Sequence, residues 1–392
     1  MTKPVLPSAR IIEIDILRGF ALVGILWVNT FGYNSSFFNF SGFYTAIDNE
    51  TTLNLFTNMV TWGADKFIFI FSLLFGFSAF LLSQKFTSEK AFTLFYIKRM
   101  LILFLFGFVH VFFFWAGDIL ILYSIIGIIL ILIRRLPDWL LVVLSILFYF
   151  FICIYIPLQE SYPFILPQAL STDTTLTLPE VIKIYSTGNY FECLQLRLTE
   201  YNAIRNMNIF YYAPKVLALF IIGYLIGKKQ IIQSIRINNW WGILLIVFIM
   251  FGLFFGFKGD QIPGWLLASN SRWINSLYMG VYEAGNLFIG FSYCLIILLA
   301  CRTVFFTKVL TPLKYYGRMA LTNYIFQSIF FTFVSYGYGL GYFGTTNMVQ
   351  PLLIALSIVI IQMVFSYYWL KNFRFGPLEF IWRRLSYKTM KP

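Results

Sequence analysis

Charge is scarce in this chain of 392 residues, and histidine is nearly absent. Asp, Glu, Lys and Arg make up 11% of the sequence, against about 25% in an ordinary soluble domain, and there is one histidine. So little charge excludes a soluble fold. Cysteine is sparse too: Cys153, Cys294 and Cys301 sit in apolar runs and only Cys193 in an expected outer loop, so no disulfide framework follows. No repeat of fixed period and no low-complexity segment occurs, which disfavours the inverted-repeat architecture of many transporters. A cleavable signal is not expected either, because the first apolar run carries Asp15, Arg18 and Asn29 and no small-residue pattern follows it.

What the chain has in abundance is apolar side chains, 59% hydrophobic and 21% aromatic. About twenty consecutive apolar residues cross a bilayer as a helix, and the runs here supply about ten such segments. The expectation is an all-α, polytopic membrane helix bundle forming one integral domain over 1–392. Its helices fall near 14–31, 60–82, 100–116, 119–133, 139–156, 209–226, 240–257, 281–301, 320–336 and 349–370. Residues 157–208 form an outer loop whose 179–205 portion lies along the interface as a helix, and 371–392 form a basic cytoplasmic tail.

The net charge of +13 comes from 29 Lys and Arg residues, of which 22 fall on the side of the N-terminus and seven elsewhere. This is the positive-inside asymmetry, so the charge reports a multipass cell-membrane protein with both termini cytoplasmic, not a nucleic-acid partner. Gly339, Gly341 and Gly344 have G-x-G-x-x-G spacing, but they lie between two membrane helices without the strand and acidic residue that a nucleotide site needs. Gly223 to Gly227 and Gly252 to Gly256 match the small-residue packing motif of membrane helices.

Ionisable residues inside apolar runs are the informative ones, since each costs about 2.5 to 3.5 kcal/mol at a helix centre on the insertion scale. Asp15 and Arg18 share a helix face as a self-satisfied pair or a ligand-facing one. Asp65 and Lys66 lie in the outer third of the second helix. Glu283 and Lys215 are explicable as interface residues that snorkel. His110 lies about 15 Å into the third helix, near mid-membrane. Asp118 follows at a hairpin tip, about 12 Å further along an unbroken helix. A break at Gly117 folds the carboxylate back toward the imidazole; without one, each residue addresses a different part of one site.

Four blocks carry a resemblance. The first is Arg10 with Glu13, Asp15, Arg18, Gly19, Ala21, Gly24 and Asn29. The second runs from Phe106, Gly107 and His110 through Trp115, Gly117 and Asp118 to Tyr123. The third is Gly317, Arg318, Leu321, Thr322, Asn323 and Tyr324 with Gln327 and Ser328, and the fourth Phe375, Gly376, Pro377 and Glu379 with Trp382 and Arg383. In order and spread over nearly the whole chain, they resemble the YeiB-like family of bacterial membrane proteins, the domain of unknown function 418. That family is distantly similar to transmembrane acyltransferases, which include the lysosomal heparan glucosaminide acetyltransferase and bacterial O-acetyltransferases of surface sugars. The likeness implies about ten helices around a central pore, with acyl-CoA entering from the cytoplasm. The bacterial O-acetyltransferases carry a histidine near the end of the first helix where this chain has Asn29, so His110 has to take its place.

The polar residues form two layers. Arg10, Asp15, Arg18, Arg99, Arg318 and Asn323 near the inner surface suit the phosphates of an acyl-CoA, acetyl-CoA being the expected co-substrate. Asn29, Asp65, His110, Asp118 and Glu283 occupy the outer half. There His110 acts as general base on a sugar, lipid or small-molecule acceptor, Asp118 or Asp65 stabilises its charged form, and Asn29 donates to the oxyanion. No metal is expected, the bilayer is the surrounding partner, and a homodimer is left open. The rival class is a proton-coupled transporter or exporter, in which the same buried groups relay protons.

Overall fold

The computed structural model describes residues 11–39, 43–44, 49–162, 176–260 and 272–387. Over these it is helical throughout. The helices are α1 (Ile12–Asn34), α2 (Glu50–Trp62), α3 (Lys66–Ser83), α4 (Glu89–Phe113), α5 (Leu120–Ile133), α6 (Asp138–Tyr149), α7 (Phe151–Ser161), α8 (Leu178–Thr187), α9 (Tyr190–Ala203), α10 (Ala213–Lys228), α11 (Asn239–Asp260), α12 (Arg272–Ala300), α13 (Val304–Val309), α14 (Thr311–Arg318), α15 (Ala320–Ser335), α16 (Val349–Asn372) and α17 (Pro377–Tyr387).

Each of the ten expected apolar segments is helical, but they are not ten full spans. Among the described residues seven helices are long and apolar enough to cross a membrane, eight if α6 and α7, bent by 50° at Phe150, are one span. The others are short for a physical reason. The 14 residues of α5 extend only about 21 Å against a hydrocarbon core of about 30 Å, and the 16 residues of α15 only about 24 Å. Each buries one face in the bundle, with Asn323, Gln327, Ser328 and Thr332 of α15 buried, and turns another outward, carrying Ile125 and Leu132 of α5 and Phe326 and Phe333 of α15. Large apolar side chains face outward on the longer helices as well, such as Leu101, Leu105 and Phe108 of α4 and Ile243, Met250 and Phe254 of α11. That pattern suits hydrocarbon surroundings, and the chain is a multipass membrane protein.

Close crossings are made where side chains are missing. A Cβ on Gly19 would lie 2.1 Å from the Leu313 carbonyl, and one on Gly317 2.1 Å from that of Asp15, so α14 lies directly on α1. Gly223 of α10 meets the Leu73 carbonyl of α3 in the same way, and Gly252 of α11 meets Ile289 of α12. Within the basic tail, Pro377–Tyr387 form a packed helix: Trp382 of α17 donates to the Arg99 carbonyl at 2.9 Å.

The 179–205 portion forms α8 and α9, each opened by a capping box, Thr177 with Glu180 and Asn189 with Glu192. Their buried face meets the ends of α1 and α4. Arg197 donates to the Phe112 carbonyl at 2.8 Å, while the Glu200 carboxylate receives Ser36 Oγ (2.5 Å), Phe37 N (3.0 Å) and Tyr185 Oη (2.6 Å). Burial raises the Glu200 carboxyl to about 7, only partly opposed by these donors. The folded state therefore keeps a proton that the unfolded chain releases near pH 4.5, and its stabilising effect, complete below that pH, is lost as the pH rises through 7. The difference is about 3 kcal/mol. Thermal unfolding in detergent is expected to show a drop in stability from pH 5 to pH 8 that is smaller in Glu200→Gln by about this amount; equal drops would remove Glu200 as its source.

Candidate functional site

The site grows from the hairpin between α4 and α5. Helix α4 stops at Phe113, where the amides of Phe114 and Trp115 both turn back to the His110 carbonyl. The chain then reverses within six residues and α5 begins at Leu120. Asp118 caps that start, its Oδ1 accepting the Ile121 amide at 2.8 Å, and the reversal brings its Oδ2 to 2.9 Å from His110 Nδ1. Of the two arrangements open from sequence, the broken helix is the one adopted, with the break after Phe113 rather than at Gly117. Gly107 permits it: a Cβ there would lie 2.7 Å from the Ile121 amide nitrogen and 2.9 Å from Asp118 Oδ1.

On its other side the imidazole meets α15. His110 Nε2 lies 2.8 Å from Ser328 Oγ, and Ser328 Oγ lies 2.8 Å from the Tyr33 phenol of α1. A carboxylate only accepts, so the hydrogen sits on Nδ1, and in the neutral ring Nε2 accepts from Ser328. The result is a continuous relay from Tyr33 through Ser328 and His110 to Asp118, with His110 and Ser328 fully buried. Asn29, one turn before Tyr33 on α1, lines the neighbouring cavity. Sequence reasoning singled out His110, Asp118 and Asn29 but missed Ser328 and Tyr33.

Beside the relay runs a cavity of about 1420 Å³. Its middle wall includes Asn29, Gly117, Asp118, Tyr123 and Tyr324. One end is cationic, lined by Arg18, Lys85, Arg99, Lys314, Arg318, Arg374 and Arg383. Among the described residues only Asp15 and Glu379 stand there as carboxylates, and both are engaged. Asp15 pairs with Arg18 at 3.1 Å, and Glu379 accepts the Leu321 and Thr322 amides at the start of α15 (2.7 and 3.1 Å). Arg99 has its guanidinium 3.6 Å from the centre of the Trp382 ring and forms no ion pair among the described residues. Arg18 also donates to Ser78 at 3.2 Å and Arg318 to the Arg374 carbonyl at 3.2 Å. Lys85, Lys314, Arg374 and Arg383 join the expected arginines at this end, Arg383 alone of the four coming from one of the family-like blocks. Arg10 lies outside the described residues. Asn323 is turned away from this end, donating to the Tyr316 carbonyl and Ser366 of α16 (3.1 and 3.2 Å), so it serves helix packing.

The far end of the cavity is lined by Asp65, Asn208 and Tyr212. Asp65 does not meet His110. It stands at the break between α2 and α3 with φ 64°, a left-handed conformation that costs a non-glycine residue energy. Its Oδ2 lies 2.8 Å from the Tyr211 phenol and 3.3 Å from Lys215 Nζ, and Lys215 in turn lies 2.7 Å from Glu283 Oε1. A π-helical turn, Asn208–Tyr212, presents Tyr211 to both carboxylates. Snorkelling is therefore corrected for this pair: Lys215 and Glu283 are buried and bonded to each other rather than extended to an interface. No group of three His, Cys, Asp or Glu side chains converges to hold a metal among the described residues.

Residues 226–389 match the family model described as "Protein of unknown function (DUF418)". Over its whole length the chain is 28% identical to uncharacterized protein YxaH of Bacillus subtilis, of which it covers 97%. It is also 25% identical to uncharacterized protein YeiB of Escherichia coli, with 98% of each chain aligned. An uncharacterized 39.9 kDa protein of Bacillus acidopullulyticus is 28% identical over 99% of this chain and 97% of its own. These likenesses bear out the resemblance read from the four blocks.

Proposed function

We propose that this YeiB-like membrane protein is an acyltransferase that moves an acyl group, acetyl in the simplest case, from cytoplasmic acyl-CoA to an acceptor reaching the cavity from the opposite side. The carrying observation is the Asp118–His110–Ser328 relay set against a cavity whose one end is cationic. Phosphate groups seat among Arg18, Arg99, Arg318, Arg374 and Arg383, and the pantetheine arm runs along the cavity toward Asp118. Arg99 and His110 are eleven residues apart on α4, about 16 Å along the axis, so a thioester reaches the relay while its phosphates stay at the cationic end. Asp118 orients the ring and stabilises its charged form, His110 takes the proton of the attacking group, and the Asn29 amide donates to the oxyanion.

Binding of CoA to the purified protein is the direct test. Removing one charge-assisted contact costs about 1.5 to 3 kcal/mol, roughly a tenfold to hundredfold loss of affinity. Arg99→Ala is expected to show that loss with folding retained, because Arg99 gives up no ion pair. Unchanged affinity would remove Arg99 from the donor site, and a parent protein that binds no CoA would remove the reading.

One observation favours the rival, a proton-coupled transporter: Asp65, Lys215, Glu283 and Tyr211 make a buried ionisable network at the far end of the same cavity. That reading expects a flux driven by a pH gradient across vesicles, lost in Glu283→Gln, and no CoA binding at the cationic end.

A further inference from the structure

Direct proton abstraction from an acceptor requires a free ring nitrogen on His110, and neither is free. Nδ1 is held by Asp118 and Nε2 by Ser328, while the Tyr324 ring packs 5.1 Å from the imidazole, which has no exposed surface. Of the two groups that hold the ring, Ser328 is the one whose hydroxyl can donate to it. The serine hydroxyl, donating to Nε2 and approached from its other side by the Tyr33 phenol, has the arrangement of an activated nucleophile with its base and the base's orienting carboxylate. Recurrence of this constellation on unrelated folds means that it is recognised by geometry rather than position. A second observation agrees. The cationic end and the Asp65 end belong to one continuous cavity, so donor and acceptor that occupy it in turn need no separate chambers.

Resting on the acyltransferase reading, we propose that Ser328 is a catalytic residue that carries the acyl group covalently between two half-reactions. In the first, Ser328 Oγ attacks the thioester carbonyl as His110 Nε2 takes its proton. The carbon–sulfur bond breaks, and the proton passes from Nε2 to the departing CoA thiolate. An acyl ester on Ser328 and free CoA remain. In the second, an acceptor hydroxyl or amine attacks the ester carbonyl, giving its proton to Nε2, and the carbon–oxygen bond to Ser328 breaks with return of that proton to Oγ. Atoms balance without metal or redox partner. Ser328 itself has no exposed surface, and Tyr324, four residues before it, lines the cavity, so the proposal requires the Tyr324 ring to give way as the thioester approaches.

A covalent intermediate is tested without knowing the acceptor. Purified protein is incubated with labelled CoA and a series of unlabelled acyl-CoAs beginning with acetyl-CoA, and label entering acyl-CoA is measured alongside the mass of the peptide bearing Ser328. The parent is expected to exchange label and to carry the acyl group on that peptide. Ser328→Ala is expected to do neither while binding CoA as the parent does. Ser328→Cys keeps a nucleophile and is expected to retain exchange, which guards against misreading a folding defect. Exchange at the parent rate in Ser328→Ala would overturn the assignment. A parent that binds CoA yet shows neither exchange nor acylation would overturn it too, leaving direct transfer in place; absence of CoA binding removes both this inference and the reading beneath it.

Discussion

Replacement of His110 by alanine is expected to lower acyl transfer by about 10²- to 10⁴-fold, the usual contribution of a positioned general base. The effect should appear in turnover and not in donor affinity, because the imidazole and the cationic end lie about 16 Å apart along α4. Ser328 then loses its base, and the acceptors left to its hydroxyl are the Tyr33 phenol at 2.8 Å and the Tyr324 carbonyl at 3.5 Å, neither of which replaces an imidazole as proton acceptor. Asp118→Asn is expected to fall in the same range. An amide can donate to Nδ1 and so favour the tautomer whose Nε2 carries hydrogen, which cannot accept from the serine. The measurement is release of CoA thiol from acetyl-CoA by purified protein supplied with membrane extract, beside CoA affinity for each variant. A His110→Ala protein with parental turnover would take the imidazole out of the mechanism. One that loses CoA affinity in step with turnover would make it a structural residue of the cavity wall.

The helices were legible because a bilayer leaves a strong mark: long uncharged runs, basic residues between them, and an ionisable residue conspicuous wherever it interrupts a run. His110 and Asp118 stood out for that reason, and the positions of α1, α4, α10, α12 and α16 follow from run length. Span number was less legible, because α5 and α15 are apolar without being long, and burial inside a bundle and burial in lipid select the same residue types. Ser328 was present in a quoted block, yet nothing local marks it. Serines in membrane helices usually bond back to a carbonyl one turn earlier, and its partners here stand 218 and 295 positions away. The direction of the Asp118 carboxylate depends on the turn from Phe114 to Ile119, which fixes whether eight residues mean 12 Å or a hydrogen bond. Asn323 shows the converse. Its block matched the family, but its amide is spent on Tyr316 and Ser366, so a matching residue was a packing residue. Asp65 was assigned to the wrong cluster for the same reason that Lys215 and Glu283 were read as snorkelling: the network joins positions 68 to 150 residues apart.

That network carries the second large effect. Lys215 Nζ lies between two carboxylates, 3.3 Å from Asp65 and 2.7 Å from Glu283, and all three side chains are at most 9% exposed. Burying charges is costly, and mutual attraction offsets that cost only while every partner is present. Lys215→Met keeps the apolar stem and removes the cation, leaving two carboxylates facing each other across the Tyr211 phenol. Breaking a buried pair in this way costs about 3 to 5 kcal/mol. Loss of this size is expected in the thermal or denaturant unfolding of the detergent-solubilised protein. The matching double variant, Lys215→Met with Glu283→Gln, is expected to recover a large part of it, since the second change removes the charge that the first leaves unpaired and coupling of 0.5 to about 3 kcal/mol is usual between residues in contact. Additive losses would mean that Lys215 answers Asp65 alone. Parental stability in Lys215→Met would mean that the carboxylates hold protons or meet water through the cavity, which Asp65 lines. The same variants separate the two functional classes. If the cluster only braces the break between α2 and α3, CoA affinity survives Lys215→Met wherever the fold does. If it is the proton path of a transporter, both the single and the double variant lose gradient-driven flux even where the double variant regains stability.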